Sequence, residues 1–302
     1  MKTLITGGSG LLGREIKIKN AFKPCREELN LESYENLRNY ILSNNIQSVI
    51  HCAAKVGGVK ANSNYANDFF LENLKINTNI LRSCVDFKLK NCIFLLSTCI
   101  FPEHAPLPLD EKSINDGEPH HTNFGYAYAK RILEIGSRTI YSQHKIKTTC
   151  VIPCNLYGKH DNYSLETGHV IPNLIHKCYI AKQSNTPFVI WGSGQEEREF
   201  IYANDFARIL EKIHGKKNLP QNIIVSPEEN YKISEIVEII IKEFEFRGKV
   251  IYAKENGAGV FKKPTNNKVF RSIIPNFKFT PIEVGLSQSI KYFIKNFKNI
   301  RK

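Results

Sequence analysis

An open, doubly wound parallel α/β sheet followed by a smaller α/β unit is the fold class predicted for this 302-residue sequence, and three observations predict it. Short apolar runs alternate with longer amphipathic ones through the first half of the chain. A glycine-rich turn follows the first apolar run directly. The apolar runs are nearly continuous blocks, as in Cys92-Ile93-Phe94-Leu95-Leu96, which suits parallel strands buried on both faces.

Residues 2–6 read as the first strand and run into Gly7-Gly8-Ser9-Gly10-Leu11-Leu12-Gly13. Gly7 permits the tight turn, Gly10 lets backbone N–H groups approach a pyrophosphate at a helix N-terminus, and Gly13 allows close packing of helix on strand. Such a turn also serves as an ordinary strand-to-helix connection. Its place straight after an N-terminal strand points instead to a Rossmann-type dinucleotide-binding unit. A helix-like run follows Gly13 and is unusually short. The next segment reads Lys23-Pro24-Cys25-Arg26-Glu27-Glu28-Leu29-Asn30. Where NAD is bound, an acidic residue is expected to close the second strand; Arg26 stands where a guanidinium pairs with a 2′-phosphate, which favours NADP(H). The plainer reading of Arg26 is an exposed loop residue. A helix over 34–42, a strand over 47–51, a long helix over 68–87, a strand over 92–97, a helix carrying Tyr126 and Lys130, and a strand over 148–152 continue the alternation.

Composition narrows the function. A formal net charge of +13 invites a nucleic-acid role, but the lysines and arginines are dispersed and no nucleic-acid-binding motif accompanies them. No apolar stretch reaches the roughly 20 residues of a membrane span, and no signal-peptide pattern precedes the first strand. A soluble, cytoplasmic protein is expected. Eight cysteines without a CxxC pair read as reduced, mostly buried thiols rather than a disulfide frame or metal site.

The chemistry concentrates between residues 97 and 130. Tyr126 and Lys130, four apart on a helix, share a face about 5–6 Å apart, so the ammonium is expected to lower the phenol's pKa and make it a proton donor or acceptor at a carbonyl. Ser97 and Cys99 follow the 92–96 run, at the carboxyl edge where open α/β sheets bind ligands. Ser97 equally suits a hydroxyl that satisfies local backbone, and a cysteine after a buried strand is by default a small core residue.

Further strings extend the pattern: Ala53-Ala54-Lys55-Val56-Gly57-Gly58, Leu96-Ser97-Thr98-Cys99-Ile100-Phe101-Pro102, Asn155-Leu156-Tyr157-Gly158 with Asp161-Asn162, Gly168-His169-Val170-Ile171-Pro172, and Trp191-Gly192-Ser193-Gly194 before Arg198-Glu199-Phe200. In their order and spacing, nearly end to end, the chain resembles the GDP-L-fucose synthases, NADPH-dependent 3,5-epimerase/4-reductases of the extended short-chain dehydrogenase/reductase superfamily. The resemblance implies GDP-4-keto-6-deoxy-D-mannose as substrate, Cys99 as the epimerisation base and His169 as its acid. It also implies Tyr126, Ser97 and Lys130 at the reduced carbonyl. Gly7, Gly10, Gly13, Arg26, Ala53, Ala54, Lys130, Pro153 and His169 would meet the cofactor. Asn155, Trp191, Arg198 and Lys263 would meet the nucleotide sugar. Plainer readings are a helix-start cap for His169, a core tryptophan, a surface arginine and a turn-shaping asparagine. The stretch 256–263 is slightly longer than the family's version, so Lys262 and Lys263 can exchange roles. The implied organisation is a cofactor domain over 1–153, rejoined by about 187–215, and a substrate domain over 154–302 in a homodimer. Competing readings are another nucleotide-sugar epimerase, dehydratase or reductase of the superfamily, and an NADPH-binding regulatory subunit.

Overall fold

The computed structural model describes residues 1–253 and 261–301. In chain order the elements are β1 (Thr3–Thr6), β2 (Ala21–Phe22), α1 (Tyr34–Asn44), β3 (Ser48–His51), α2 (Val59–Asn64), α3 (Ala66–Asp86), β4 (Cys92–Leu95), α4 (Phe124–His144), β5 (Thr148–Pro153) and β6 (Asn155–Tyr157). They continue with α5 (Val170–Ser184), β7 (Phe188–Trp191), β8 (Glu197–Tyr202), α6 (Ala203–Ile213), β9 (Asn222–Val225), β10 (Asn230–Lys232), α7 (Ile233–Phe244), β11 (Val250–Ala253), α8 (Lys268–Ile273) and α9 (Ile282–Asn296).

Among the described residues a six-stranded parallel sheet runs in the order β2-β1-β3-β4-β5-β9. Its strands are apolar on both faces, and alternation sends neighbours to opposite sides. Leu4, Val49, Phe94, Ile152 and Ile224 pack with α1, α3 and α4. Ile5, Ile50, Ile93, Val151 and Ile223 pack with α6 and α8. The chain turns from β1 to β2 on one side and returns to β3 on the other, so a crevice opens at the carboxyl ends of β1 and β3. A second core joins α5, α7 and α9 to β7 and β8. Of the returning stretch 187–215, α6 lies on the large sheet. β7 instead pairs with β11, β8 with β6 and β10, and the sheet's outer strand is β9.

The run after Gly13 departs from expectation. Only a turn forms, closed by Arg14 N–H to Gly10 C=O at 3.3 Å and Glu15 N–H to Leu12 C=O at 3.0 Å, because residues 14–20 are all that separate Gly13 from β2. Gly13 serves this turn and not a helix–strand contact: a Cβ there would lie 2.2 Å from Gly7 O. The frayed carbonyls of the turn are taken by Lys23, whose ammonium donates to Arg14 C=O at 3.3 Å and to Ile16 C=O. Lys23→Met should therefore lower the unfolding free energy by about 1 kcal/mol, read as a drop in urea midpoint with unchanged m-value. An unchanged midpoint would mean that Lys23 does not hold the turn.

Candidate active site

The crevice holds a cavity of about 420 Å³ lined by Thr6, Gly7, Ser9, Arg26, Ala53, Ala54 and Lys55, among others. Gly7 has φ +68°, and a Cβ on it would lie 3.0 Å from the backbone of Ala53, so the first turn and the end of β3 pack too closely for a side chain. Gly10 closes the turn by donating its N–H to Gly7 C=O at 2.9 Å. Arg26 lines the cavity with an exposed guanidinium, held 2.9 Å from Glu32. A narrow glycine cradle with a cation at one end fits a phosphorylated dinucleotide.

A buried polar chain runs from this cradle to α4. Thr6 Oγ1 accepts the N–H groups of Cys52 (3.1 Å) and Ala53 (3.2 Å). Both lone pairs are then used, so its own proton goes to His51 Nδ1 at 2.8 Å. His51 accordingly carries its proton on Nε2 and donates to Asn77 Oδ1 at 3.0 Å. Asn77 Nδ2 donates to Ala129 C=O at 2.8 Å. Burial, aided by the Lys130 charge, pushes His51 down to about 3, so the imidazole is neutral as this network needs. Sequence reasoning passed over His51 and Asn77; a histidine ending an otherwise apolar strand was the available signal.

Tyr126 and Lys130 lie on one face of α4, as spacing predicts, but not with the expected electrostatics. Lys130 is buried, donates to Leu95 C=O at 2.9 Å, and is pushed down to about 8 by desolvation against the opposing effect of Cys52. Tyr126 is raised above the ordinary phenol range, first by burial and then by Cys99. The expected lowering by Lys130 is therefore overturned in this form. Desolvation of the phenolate dominates, and Tyr126 is held in its protonated form.

Ser97 closes the β4 segment and caps a short 3₁₀ turn, its Oγ accepting the Cys99 N–H at 3.3 Å. The hydroxyl proton is left for another acceptor. Cys99 is half-buried and faces charge: it raises the pKa values of Arg198 and Lys263, which burial lowers. Arg198 also donates to Glu197 C=O at 2.7 Å. Lys262 pairs with Glu197 at 2.7 Å, whereas burial lowers the pKa of Lys263 against the opposing charge of Cys99. The longer stretch 256–263 lies outside the described residues as far as 260.

His169 stands at the N-cap of α5 without capping it, and its Nδ1 is 3.9 Å from Asp161 Oδ1. Asp161 is buried, and its Oδ2 lacks a hydrogen-bond partner among the described residues. Sequence reasoning gave Asp161 no role. Trp191 is 49% exposed at the end of β7, so it is not a core residue. Asn155 donates to Glu199 C=O at 2.8 Å, and Pro153 is buried at the end of β5. Asn162 shapes a turn, accepting the Ser164 N–H at 3.1 Å. The buried Glu199 carboxylate accepts the Thr265 N–H at 3.1 Å and lies 2.7 Å from its hydroxyl, which anchors the segment carrying Lys263. This link between residues distant in sequence had no local signal.

Residues 3–226 match the NAD dependent epimerase/dehydratase family. The chain is 39% identical to the GDP-L-fucose synthase of Dictyostelium discoideum, covering 99% of this chain and 97% of that one. It is 33% identical to the GDP-L-colitose synthase of Yersinia pseudotuberculosis, over 99% of this chain and all of that one. A crystal structure of a GDP-L-fucose synthetase from Naegleria fowleri bound to NADP is 33% identical and superposes with a TM-score of 0.92, covering 99% of this chain and 96% of that one.

The neutral His51 gives a pH test. With its folded pKa near 3 against an ordinary value of 6.5, the unfolded chain binds the proton first. Its stabilising effect is full above pH 6.5 and is lost as pH falls toward 3. His51→Gln keeps an acceptor and a donor without the titration, so its thermal midpoint should fall less steeply between pH 6.5 and 4. An identical slope in both proteins would exclude His51 as the titrating group.

Proposed function

Because the chain belongs to the NAD dependent epimerase/dehydratase family, we propose that it is an NADPH-dependent GDP-L-fucose synthase, acting on GDP-4-keto-6-deoxy-D-mannose as 3,5-epimerase and 4-reductase. The observation that carries this reading is the cavity at the glycine turn, together with the charge of Cys99 acting on Tyr126, Arg198 and Lys263. A 4-keto group acidifies the protons on both neighbouring carbons. Cys99, as thiolate, removes such a proton, and His169 returns one on the opposite face while Asp161 steadies its imidazole. Arg198 and Lys263 hold the diphosphate, with Asn155 orienting polar sugar groups and Trp191 offering an apolar face at the rim. Bound NADPH supplies the hydride for carbon 4. Tyr126, kept protonated, donates to the carbonyl oxygen, and Ser97 donates a hydrogen bond to the same atom. Lys130, which donates to Leu95 C=O, would hold the nicotinamide ribose, and Arg26 would pair with the 2′-phosphate.

The colitose-forming relative favours one second reading, in which the product is GDP-L-colitose. Among the described residues no helix is long and apolar enough to cross a membrane, and the eight cysteines are all free thiols. That thiol state supports a reducing, cytoplasmic setting.

Incubation of the protein with GDP-4-keto-6-deoxy-D-mannose and NADPH in deuterated water tests the assignment. The expected product is GDP-L-fucose labelled at carbons 3 and 5, with matching NADPH consumption; NADPH loss without label would leave only a ketoreductase. Cys99→Ser should lower the labelling rate by on the order of 100-fold or more, since a serine hydroxyl is far less acidic than a thiol, yet spare most reduction of a pre-epimerised substrate. Labelling of both carbons at the native rate in that variant would remove Cys99 as the base.

We also expect a homodimer formed through α3 and α4, which expose Leu71 and Ile135. Light scattering should give twice the 34.6 kDa chain mass, and Leu71→Glu with Ile135→Glu should halve it. A parent protein at the single-chain mass would overturn the dimer.

A further inference from the structure

The cavity carries an unbalanced charge. Its lining cations are Arg26, Lys55 and Arg301, and its lining acids are Glu32 and Glu72. Glu32 pairs with Arg26 and Glu72 with Lys55. Arg301 has no acidic partner among the described residues, so the net positive charge of the cavity wall comes from a residue nearly three hundred positions away in sequence from the glycine turn.

The segment after α9 is held where it needs to be. The Phe297 ring lies 4.4 Å from that of Tyr179 and 5.3 Å from that of Phe293, and Ile300 packs on the same core. Arg301 C=O accepts the Tyr163 N–H at 3.0 Å. Tyr163 belongs to the loop that leads to His169, and that loop is joined to the cavity wall by Gly58 N–H donating to Thr167 C=O at 3.0 Å. The backbone of residue 301 is thus tied down, while the residue is exposed and lines the cavity.

We propose that Arg301 is a cofactor-binding residue whose guanidinium pairs with the pyrophosphate of the dinucleotide in the cavity that Gly7 and Ser9 also line. The assignment rests on the NADPH reading above and deepens it. Arg26 and Lys55 are each neutralised by a neighbouring carboxylate, but the ligand brings several negative charges. An unneutralised planar fork is the group that answers a diphosphate with paired, charge-assisted hydrogen bonds. Because the anchoring bond uses the backbone carbonyl of residue 301, replacing the side chain leaves the path of the segment intact.

Titration calorimetry of the full chain with NADPH and with NADH separates the possibilities, since both share the pyrophosphate and only NADPH carries the 2′-phosphate. Arg301→Ala should raise Kd for both dinucleotides by a common factor of about tenfold, the scale of losing a charge-assisted pair. Arg301→Lys, which keeps the charge without the fork, should raise both by a smaller common factor. A change under twofold in Arg301→Ala, or a loss confined to NADPH, would overturn the pyrophosphate contact. If the parent protein bound neither dinucleotide, the cofactor reading itself would fall, which is a different result from a parent that binds and a variant that binds equally well.

Discussion

The hydrogen-bond chain from Thr6 through His51 and Asn77 to Ala129 is the constraint on which the site's geometry depends. It crosses from β1 to β3, then to α3 and α4, and it is closed at every atom that it uses. Around it the sheet is apolar, so any member left without a partner would cost about 1–3 kcal/mol. The chain also has a single direction, because Thr6 has spent its acceptor capacity on two backbone N–H groups. The glycine turn and the helix bearing Tyr126 and Lys130 are therefore set by one network and not by independent packing.

The second theme is desolvated positive charge. Burial lowers the pKa values of Lys130, Arg198 and Lys263, and the half-buried Cys99 opposes that lowering at the last two. Desolvated cations are costly, and an anionic ligand or a developing negative charge relieves them. The chain's overall charge of +13 is thus less informative than the placement of these few groups. A diphosphate-bearing substrate suits this focusing better than a nucleic acid, for which the dispersed surface lysines form no track.

Much of this architecture was legible in the sequence. Blocks such as 92–96 suited strands buried on two faces, and the 7–13 glycines marked the turn by their spacing. Tyr126 and Lys130 shared a face because 3.6-residue periodicity requires it. What escaped was set by contacts between distant segments. The sign of the Tyr126 shift depended on how deeply protein surrounds the ring, which no local pattern reports. Glu199 and Thr265 meet from sequence positions far apart, and so do Glu197 and Lys262. The run after Gly13 looked helical, but too little chain remained before β2 to build more than a turn.

That shortened turn changes what attracts the cofactor. In a full-length helix, aligned peptide dipoles act together as about half a positive charge at the N-terminus, fixed in the fold. A single turn ending on Lys23 contributes little of that macrodipole, so an anion at Gly7–Gly13 is met chiefly by local N–H groups and by side-chain charge at an open rim. Charges at an open rim are screened over a Debye length of about 8 Å at physiological ionic strength. Attraction of an anion to this turn thereby leans on side chains that distant segments bring to the rim rather than on a dipole built into the first helix.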